Sequence, residues 1–452
     1  MRYAALFLLL ALEGSAASRY IRAGASGAGD GSSWADAWTT FGAASWTRGD
    51  TYYVAAGTYN ETVTVTSALS GSTWITIKRA NAADNSGDAG WSSGYAGLVT
   101  INGKVALNSG YIAWDGYEGS GTNGHGFLVY ATNLTGAVFT LDSGQSNFRL
   151  LRTEIKGSGF AASSNALDGL SWANVTPQKG LVCASNWIHS VTRNGITLGS
   201  VIGTSWSDTA AEFQGVVVSE TGGCLDENIH GQGVQVCYAT EDKYLLFNGC
   251  TFQNVVGSAA IAFLGGSGSF HSEARIVNNI FRITDNAVYR TLSPGVIWAH
   301  DGAGSCSNMV IANNTFAGIG NATNTAALAQ VSLTTTGATG NLLANNIFES
   351  CHFTATHSGV TNQNNGYYGN TGAGIPSGTT GQINGGSTTL ESNLQLIAGG
   401  YGVGAGTDLS AYFTTDITGA TRVAPWDIGA YEYLGRRATV GTVNVGTLII
   451  TP

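Results

Sequence analysis

The chain has 452 residues, of which 65 are glycine, 5 are proline and 10% are charged. Its formal net charge of −9 argues against wholesale nucleic-acid binding, and an anionic substrate would need a locally basic patch. A globular chain of this length usually divides into two or three domains, whereas a solenoid grows by adding coils and escapes that count.

Residues 1–17 have the pattern of a secretory signal peptide. Arg2 supplies the positive start, Tyr3 to Leu12 the apolar core, and Ser15-Ala16-Ala17 a small-residue cleavage site. We therefore expect a secreted, extracellular protein without a transmembrane segment, because this apolar run is too short to span a bilayer. Oxidising conditions and an even cysteine count favour disulfides. The cysteines are Cys183, Cys224, Cys237, Cys250, Cys306 and Cys351.

Residues 18–50 are predicted to form an N-terminal cap on a right-handed parallel β-helix that occupies residues 51–361. A phrase of the type Asn-Asn-x-Phe recurs at steps of roughly 30 residues, which marks a repeat architecture. Its copies end at Phe281, Phe316 and Phe348, and a looser one ends at Phe252. Each step holds short apolar runs without helical period, as one β-helix coil requires. The fold class predicted is therefore all-β.

The asparagine pairs have a physical reason to recur. Asparagine tolerates the left-handed backbone of a tight corner, and its amide can bond the neighbouring coil. We expect Asn279, Asn314 and Asn346 to form one ladder, with the repeated phenylalanines stacked inside the coils. Earlier coils are less regular, and residues 157–180 are predicted to be a long excursion from the side of the solenoid.

The ends of the chain carry further patterns. Near the start stand Tyr20, a glycine-rich loop, Ser33-Trp34 and Ala56-Gly57-Thr58-Tyr59, and near the end stands the segment from Asp427 to Tyr433. With these, residues 19–434 resemble the secreted pectate-lyase-like right-handed β-helix proteins. The resemblance implies this fold and secretion. For activity it leaves lyases, hydrolases, epimerases and adhesins open.

Aligning the coils on the inward residues Ile155, Ile188, Ile229, Phe252 and Phe281 predicts an outward column of polar side chains. The column reads Lys156, His189, His230, Gln253, Arg282, Ala317 and Glu349. Elimination from a uronic-acid polymer requires a cation on the sugar carboxylate, a base for the neighbouring C–H and an acid for the leaving oxygen. Lys156, His189 and His230 supply proton-transfer groups, and Arg193 supplies a carboxylate clamp. These four are the predicted catalytic residues.

The resemblance also implies that substrate lies along the sheet that follows the long loop. Here that sheet would include Asn194 to Thr197, Gly233 to Gln235 and Gly295 to Trp298. The predicted substrate-binding residues are Trp187, Arg282, Arg290, Trp298 and His300.

A separate acidic set lies in the stretch Cys224 to Gly233. Asp226, Glu227 and His230 could serve hydrolysis by paired carboxylates or bind calcium. Asp226 and Glu227 are therefore the candidate metal ligands, and Ca²⁺ is the candidate cofactor. The clustered aspartates of calcium-dependent pectate lyases and the motif set of polygalacturonases are not evident.

Residues 362–434 are expected to form irregular final coils and a C-terminal cap, and residues 435–452 a strand-like tail through which the protein could self-associate. Two functions stay open. One is a secreted enzyme that cleaves an acidic polysaccharide by β-elimination. The other is a non-catalytic surface, fibre or adhesin rod that binds a glycan or another copy of itself.

Overall fold

The computed structural model describes residues 16–131, 135–142, 144–159, 166–222, 231–237, 241–265, 269–284, 296–299, 305–320, 330–333, 337–376, 383–385, 390–433 and 435. The predicted signal peptide and the strand-like tail lie almost wholly outside these residues. Within them the chain forms three long parallel sheets, here called sheets A, B and C, and each coil visits them in that order. This is the predicted right-handed parallel β-helix.

Every strand pairs with the strand one coil away, so each coil satisfies the backbone of the next. The strands of sheet A are Ser18–Ile21, Thr51–Val54, Ile75–Arg79, Ile112–Asp115, Phe148–Leu151, Leu181–Ala184, Ala211–Gln214, Glu241–Asn248, Phe270–Val277, Ser305–Ser307, Val310–Ala312, Leu342–Ala344 and Thr361–Gln363. Those of sheet B are Gly57–Tyr59, Val99–Asn102, Phe127–Tyr130, Thr153–Lys156, Trp187–Val191, Val217–Thr221, Thr251–Val255, Ile280–Arg282, Thr315–Ala317, Ile347–Glu349, Gly366–Tyr368 and Ile383–Gly385. Those of sheet C are Val63–Val65, Val105–Leu107, Gly136–Leu141, Leu167–Trp172, Ile196–Leu198, Gln232–Val236, Ala259–Phe263, Ile297–Ala299 and Val331–Ser332.

Helical structure in the described residues is confined to single turns near the N-terminal end. These are the α-helical turn Ala82–Asn85 and the 3₁₀ turns Phe41–Ala43 and Ser93–Tyr95. The Asn81 side chain caps the first of them by accepting from the Asp84 N–H at 2.9 Å. No helix in the described part of the chain is long and apolar enough to cross a membrane.

The corner between sheets A and B, here called the A–B corner, is a two-residue turn in which the two asparagines of each pair have different roles. The first asparagine takes the left-handed backbone, with φ between 53° and 57° at Asn278, Asn313 and Asn345. The second points inward and forms the predicted ladder. Asn314 Oδ1 accepts from the backbone N–H of Asn279 at 2.8 Å, and Asn346 Oδ1 accepts from that of Asn314 at 2.9 Å. The ladder prediction is confirmed.

An aromatic stack fills the interior beside this ladder. Ring centroids lie 5.0, 4.7, 4.6 and 5.1 Å apart at near-parallel angles along Phe252, Phe281, Phe316, Phe348 and Tyr367. Offset aromatic pairs of this kind add about 0.5–1.5 kcal/mol each beyond area burial. The predicted phenylalanine stack is therefore present, and Tyr367 extends it by one coil.

The C-terminal segment, residues 404–432, runs back over the A–B corner. Asn313 Nδ2 donates to the Asp427 carbonyl at 2.8 Å, and Asn345 exchanges two bonds with Thr407. The buried Arg422 guanidinium donates to Asn278 Oδ1 at 2.8 Å and also pairs with Glu432 at 3.3 Å. The outward asparagines thus hold the C-terminal cap on the coils.

Two sequence expectations need correction. Residues 157–180 are not a side excursion throughout, because Leu167–Trp172 is a strand of sheet C. No disulfide joins the five cysteines that the structure describes. They are buried and act as small apolar side chains. These cysteines are Cys183, Cys237, Cys250, Cys306 and Cys351.

Candidate functional site

The corner where sheet B ends and the chain turns into sheet C, here called the B–C corner, gathers most of the predicted site residues that the structure describes. Ser190 and Glu220 occupy this corner on consecutive coils, with φ of 55° and 52°. Left-handed backbone is uncommon for side chains of these types. Lys156 ends its sheet B strand beside the corner, His189 directly precedes Ser190, and Arg193 lies in the turn toward sheet C.

The outward column on sheet B is correct as far as His189 and then departs from the prediction. Lys156 and His189 are register partners on adjacent strands. The next partner of His189 is Ser219, followed by Gln253, because Val218 rather than Ile229 occupies the inward position. The sequence pattern favoured Ile229 over Val218 as the inward residue of this coil, whose corner lacks an Asn pair. His230 therefore does not belong to the column.

Lys156 is a half-buried cation of this face. Its Nζ lies 5.6 Å from the centre of the Tyr130 ring, its register partner on the other side. Within the described part of the chain, Lys156 has no ion-pair partner. It is therefore the cation on this face most able to meet an anionic ligand.

His189, by contrast, is enclosed by its neighbours. Its Nε2 lies 3.1 Å from Glu154 Oε1, and its Nδ1 lies 2.9 Å from Ser190 Oγ. Trp187 stacks on the ring, with centroids 3.8 Å apart and planes 12° from parallel, and donates its indole N–H to Ser219. Only 5% of the His189 side chain is exposed. His189 can position its neighbours, but it presents little surface to a ligand.

Arg193 is held in place by a buried carboxylate. Asp168 accepts from Arg193 Nε at 2.7 Å and from its Nη2 at 2.6 Å. Asp168 also accepts from the backbone N–H of Asn194 and from the Thr197 hydroxyl. Asp168 therefore fixes the plane of the Arg193 guanidinium.

The chain around residue 231 closes onto the same turn. The Gln232 N–H donates to Asn194 Oδ1 at 3.0 Å, and the Thr221 hydroxyl donates to the Gln232 carbonyl. A Cβ placed on Gly231 would lie 2.8 Å from the Arg193 carbonyl oxygen. The residue that follows His230 therefore packs on the Arg193 backbone, although His230 itself lies outside the described residues.

One register position on the outer face of sheet C continues from this turn, and three of its five side chains are buried. Thr197, Gln235, Ala262, Trp298 and Ser332 occupy one register position on five successive coils. Gln235 accepts from Asn194 Nδ2 at 2.6 Å. Trp298 is half-buried, which leaves part of its ring on the surface. Amides, hydroxyls and an indole are side chains suited to a sugar ring.

The remaining predicted site residues do not share this corner or cannot be placed. Arg282 lies further along sheet B, where its Nε donates to Gln253 at 2.8 Å. It lines a groove of about 370 Å³ beside the C-terminal cap. Among the described residues, no group of three acidic, histidine or cysteine side chains could hold a metal. The predicted residues outside the described part of the chain are Arg290, His300, Asp226 and Glu227.

Three residues of this region were not predicted from the sequence to belong to the site. Asp168 and Glu220 are absent from the predicted site, Glu220 because Ile229 was taken as the inward residue of its coil. His125 lies in the coil before Glu154 and bonds the Ser185 carbonyl through Nε2 at 3.0 Å. Burial lowers the pKa of His125, while the nearby Glu154 charge opposes this shift. A correct register would have found Glu220; nothing local marks His125.

Comparison with known proteins identifies the fold alone. No family model and no curated protein matches the chain. The solved structure of pectate lyase Pel9A is similar at 14% identity, with a TM-score of 0.55, over 92% of this chain and 97% of that chain. The structure of XylC with xylose is similar at 8% identity and a TM-score of 0.50, over 92% and 98%. A GH136 lacto-N-biosidase from Eubacterium ramulus is similar at 11% identity and 0.50, over 82% and 67%.

Proposed function

We propose that this is a secreted carbohydrate-active β-helix protein that cleaves an acidic, uronic-acid-containing polysaccharide by β-elimination at the B–C corner. The observation that carries the proposal is Arg193, fixed by the buried Asp168 at the entrance to the polar face of sheet C. Pel9A, XylC and the lacto-N-biosidase are by their names a pectate lyase, a protein bound to xylose and a sugar-releasing enzyme. These similar structures support a polysaccharide ligand for this chain.

The chemistry assigns one role to each group at the corner. The Arg193 guanidinium, with Lys156 nearby on sheet B, offsets the charge of the sugar carboxylate and so acidifies the adjacent C–H. His230 takes that proton, the electron pair forms the new C=C bond, and the glycosidic C–O bond breaks. The leaving oxygen then needs a proton from an acid. Thr197, Gln235 and Trp298 bind the neighbouring sugars along sheet C.

The experiment is an incubation with pectate, alginate and glycosaminoglycans, read by the ultraviolet absorbance of the unsaturated product. We expect product from at least one polymer, and a loss of 100-fold or more in kcat/KM for Arg193→Ala or His230→Ala. Lys156→Ala tests the second cation. The matched control is Arg48→Ala, since Arg48 bonds only backbone carbonyls near the N-terminal cap. No product from any acidic polymer would overturn the lyase assignment.

A second candidate is the non-catalytic glycan-binding rod. The observation that favours it is that both His189 nitrogens are already bonded inside the protein. Binding of a uronic-acid oligomer that depends on Arg193 but yields no product would select this function. The proposed partners are therefore glycans in both cases.

A further inference from the structure

Four side chains at the B–C corner form one continuous hydrogen-bonded chain. It runs from Glu154 through His189 and Ser190 to Glu220, with contacts of 3.1, 2.9 and 2.9 Å. Its middle is buried, because His189 and Ser190 are 4% and 8% exposed. Its ends are more accessible: the Glu154 side chain is 21% exposed, and Glu220 is exposed. A buried imidazole thus connects two carboxyl groups on different coils.

The donors and acceptors of this chain require a shared proton. Ser190 donates its hydroxyl hydrogen to Glu220, so Ser190 Oγ can only accept from His189 Nδ1. The other ring nitrogen faces Glu154. With both carboxyls ionised, the imidazole must carry a hydrogen on each nitrogen. With a neutral imidazole, one carboxyl must carry the proton instead. One proton can therefore move along the chain without breaking its hydrogen bonds.

The exposed end of the chain lies beside the clamp of the proposed elimination. Ser190 is three residues before Arg193 on the same coil. On the next coil, Glu220 precedes Thr221, whose hydroxyl bonds the Gln232 carbonyl, while the Gln232 N–H bonds Asn194. Glu220 and Arg193 are therefore tied to one hydrogen-bonded cluster.

Building on the proposed elimination, we infer that Glu220 is the general acid that protonates the leaving glycosidic oxygen, and that Ser190 and His189 are positioning residues that return a proton to it. In that step the Glu220 O–H bond breaks and the sugar O–H bond forms, as the C–O bond electrons go to the oxygen. The base holds the proton taken from carbon and releases it to water. The Glu220 carboxylate regains its proton through Ser190 from His189, and His189 takes a proton from water through Glu154, whose side chain is 21% exposed.

The charged groups around His189 set the background for this transfer. Lys156 is its register partner on the preceding strand, and Glu154 lies diagonal to it on that strand. His125 interacts electrostatically with both His189 and Glu154. Trp187 covers the ring face and excludes water there. Any titration of this site must therefore include variants of these neighbours.

The first arm of the test is independent of activity. The full chain is labelled with [¹⁵N]histidine, and the His189 ring signals are identified by their loss in His189→Gln. In the native protein, these signals should respond to the titration of two carboxyl groups as well as to that of the ring. Glu220→Gln and Ser190→Ala should each remove one carboxyl response and leave the Glu154 response. Glu212→Gln, a carboxyl on sheet A, should change nothing. A His189 signal that is the same in the native protein and in Glu220→Gln would overturn the relay.

The second arm uses the elimination itself. Glu220→Gln should lower kcat by 100-fold or more on a polymer, because its leaving group needs a proton. On a uronide with an aryl leaving group, which departs without protonation, the same variant should lose less than threefold. Equal losses on both substrates would overturn the acid role of Glu220. If the native protein cleaves neither substrate, the proposed function fails, and the first arm still decides the relay.

Discussion

The two corners that flank sheet B are built from similar parts and differ in what those parts bond. At the A–B corner, left-handed asparagines and buried amides bond backbone, one another and the Arg422 guanidinium of the C-terminal cap. At the B–C corner, left-handed Ser190 and Glu220 join an imidazole and carboxyl groups, and Arg193 is fixed on one edge by Asp168. The left-handed backbone recurs at both corners, for the B–C corner also at Asn254, Gly318, Ser350 and Gly369, whereas the joined imidazole and carboxyl groups lie on three coils.

The A–B corner therefore contributes mainly to stability, and the B–C corner mainly to chemistry. A buried amide ladder with every donor matched gains from each coil added, because an unmatched buried group costs about 1–3 kcal/mol. Ionisable groups at a partly exposed corner contribute less to stability and more to proton and charge transfer. We therefore expect substitutions at the A–B corner to lower the free energy of unfolding. Substitutions at the B–C corner should change ligand chemistry first.

The largest effect should come from the ladder. Asn314→Ala leaves the buried Asn279 N–H and the Ile276 carbonyl without their partner, which should cost about 3–5 kcal/mol in the free energy of unfolding. Guanidinium unfolding followed by circular dichroism measures it. Asn60→Ala, at an exposed asparagine, is the matched control and should stay within about 0.5 kcal/mol. A small effect at Asn314 would refute the structural role of this corner.

Loss of the buried guanidinium that docks the C-terminal cap should be nearly as large. Arg422→Met removes the donor to Asn278 Oδ1 and the ion pair of the buried Glu432, at a cost of about 3–5 kcal/mol. Limited proteolysis should then cut the cap before the coils. Lys243→Met, at an exposed pair with Glu241, is the control with little effect. Simultaneous proteolysis of cap and coils would show that the cap is part of the same folding unit.

At the other corner, Asp168→Ala should separate the two kinds of effect. This substitution removes the carboxylate that accepts from the Arg193 guanidinium and from the Asn194 N–H. We expect it to lower the free energy of unfolding by about 1–3 kcal/mol. Binding or cleavage of a uronic-acid polymer should fall at least tenfold. Calorimetric titration with a uronic-acid oligomer compares the Asp168→Ala variant with the Asn314→Ala variant at a temperature where both are folded. Equal ligand affinity in native and Asp168→Ala proteins would contradict the clamp.

The smallest effect concerns His125, which connects the two corners through Ser185 and Glu154. Burial lowers its pKa, so between that value and the unfolded value near 6.5 the unfolded chain binds the extra proton. Stability should therefore fall as pH drops through this window, and His125→Gln should flatten that slope. Thermal melts across pH 5 to 8 provide the comparison. A slope unchanged in the variant would assign the acid sensitivity to other groups.

The repeated phrase allowed the A–B corner to be predicted from the sequence, whereas the B–C corner could not be predicted in this way. Asn279, Asn314 and Asn346 stand in a recurring phrase, because one geometry is demanded at every coil. The B–C corner has no phrase of its own, and its loops differ in length, so Ile229 rather than Val218 was taken as the inward residue of one coil. That slip placed His230 in a column where Ser219 stands, and it concealed Glu220. Lys156 and His189 were placed side by side correctly because their coils share an isoleucine register.

The most direct test of the division between corners is to measure product formation and unfolding on the same three proteins. These are the native chain, Arg193→Ala and Asn314→Ala, each incubated with the acidic polymers below its melting temperature. We predict that Arg193→Ala keeps the native melting temperature within a few degrees and loses the unsaturated product. Asn314→Ala should melt earlier and keep cleaving. Cleavage that survives in Arg193→Ala, or that disappears in a folded Asn314→Ala protein, would contradict the account.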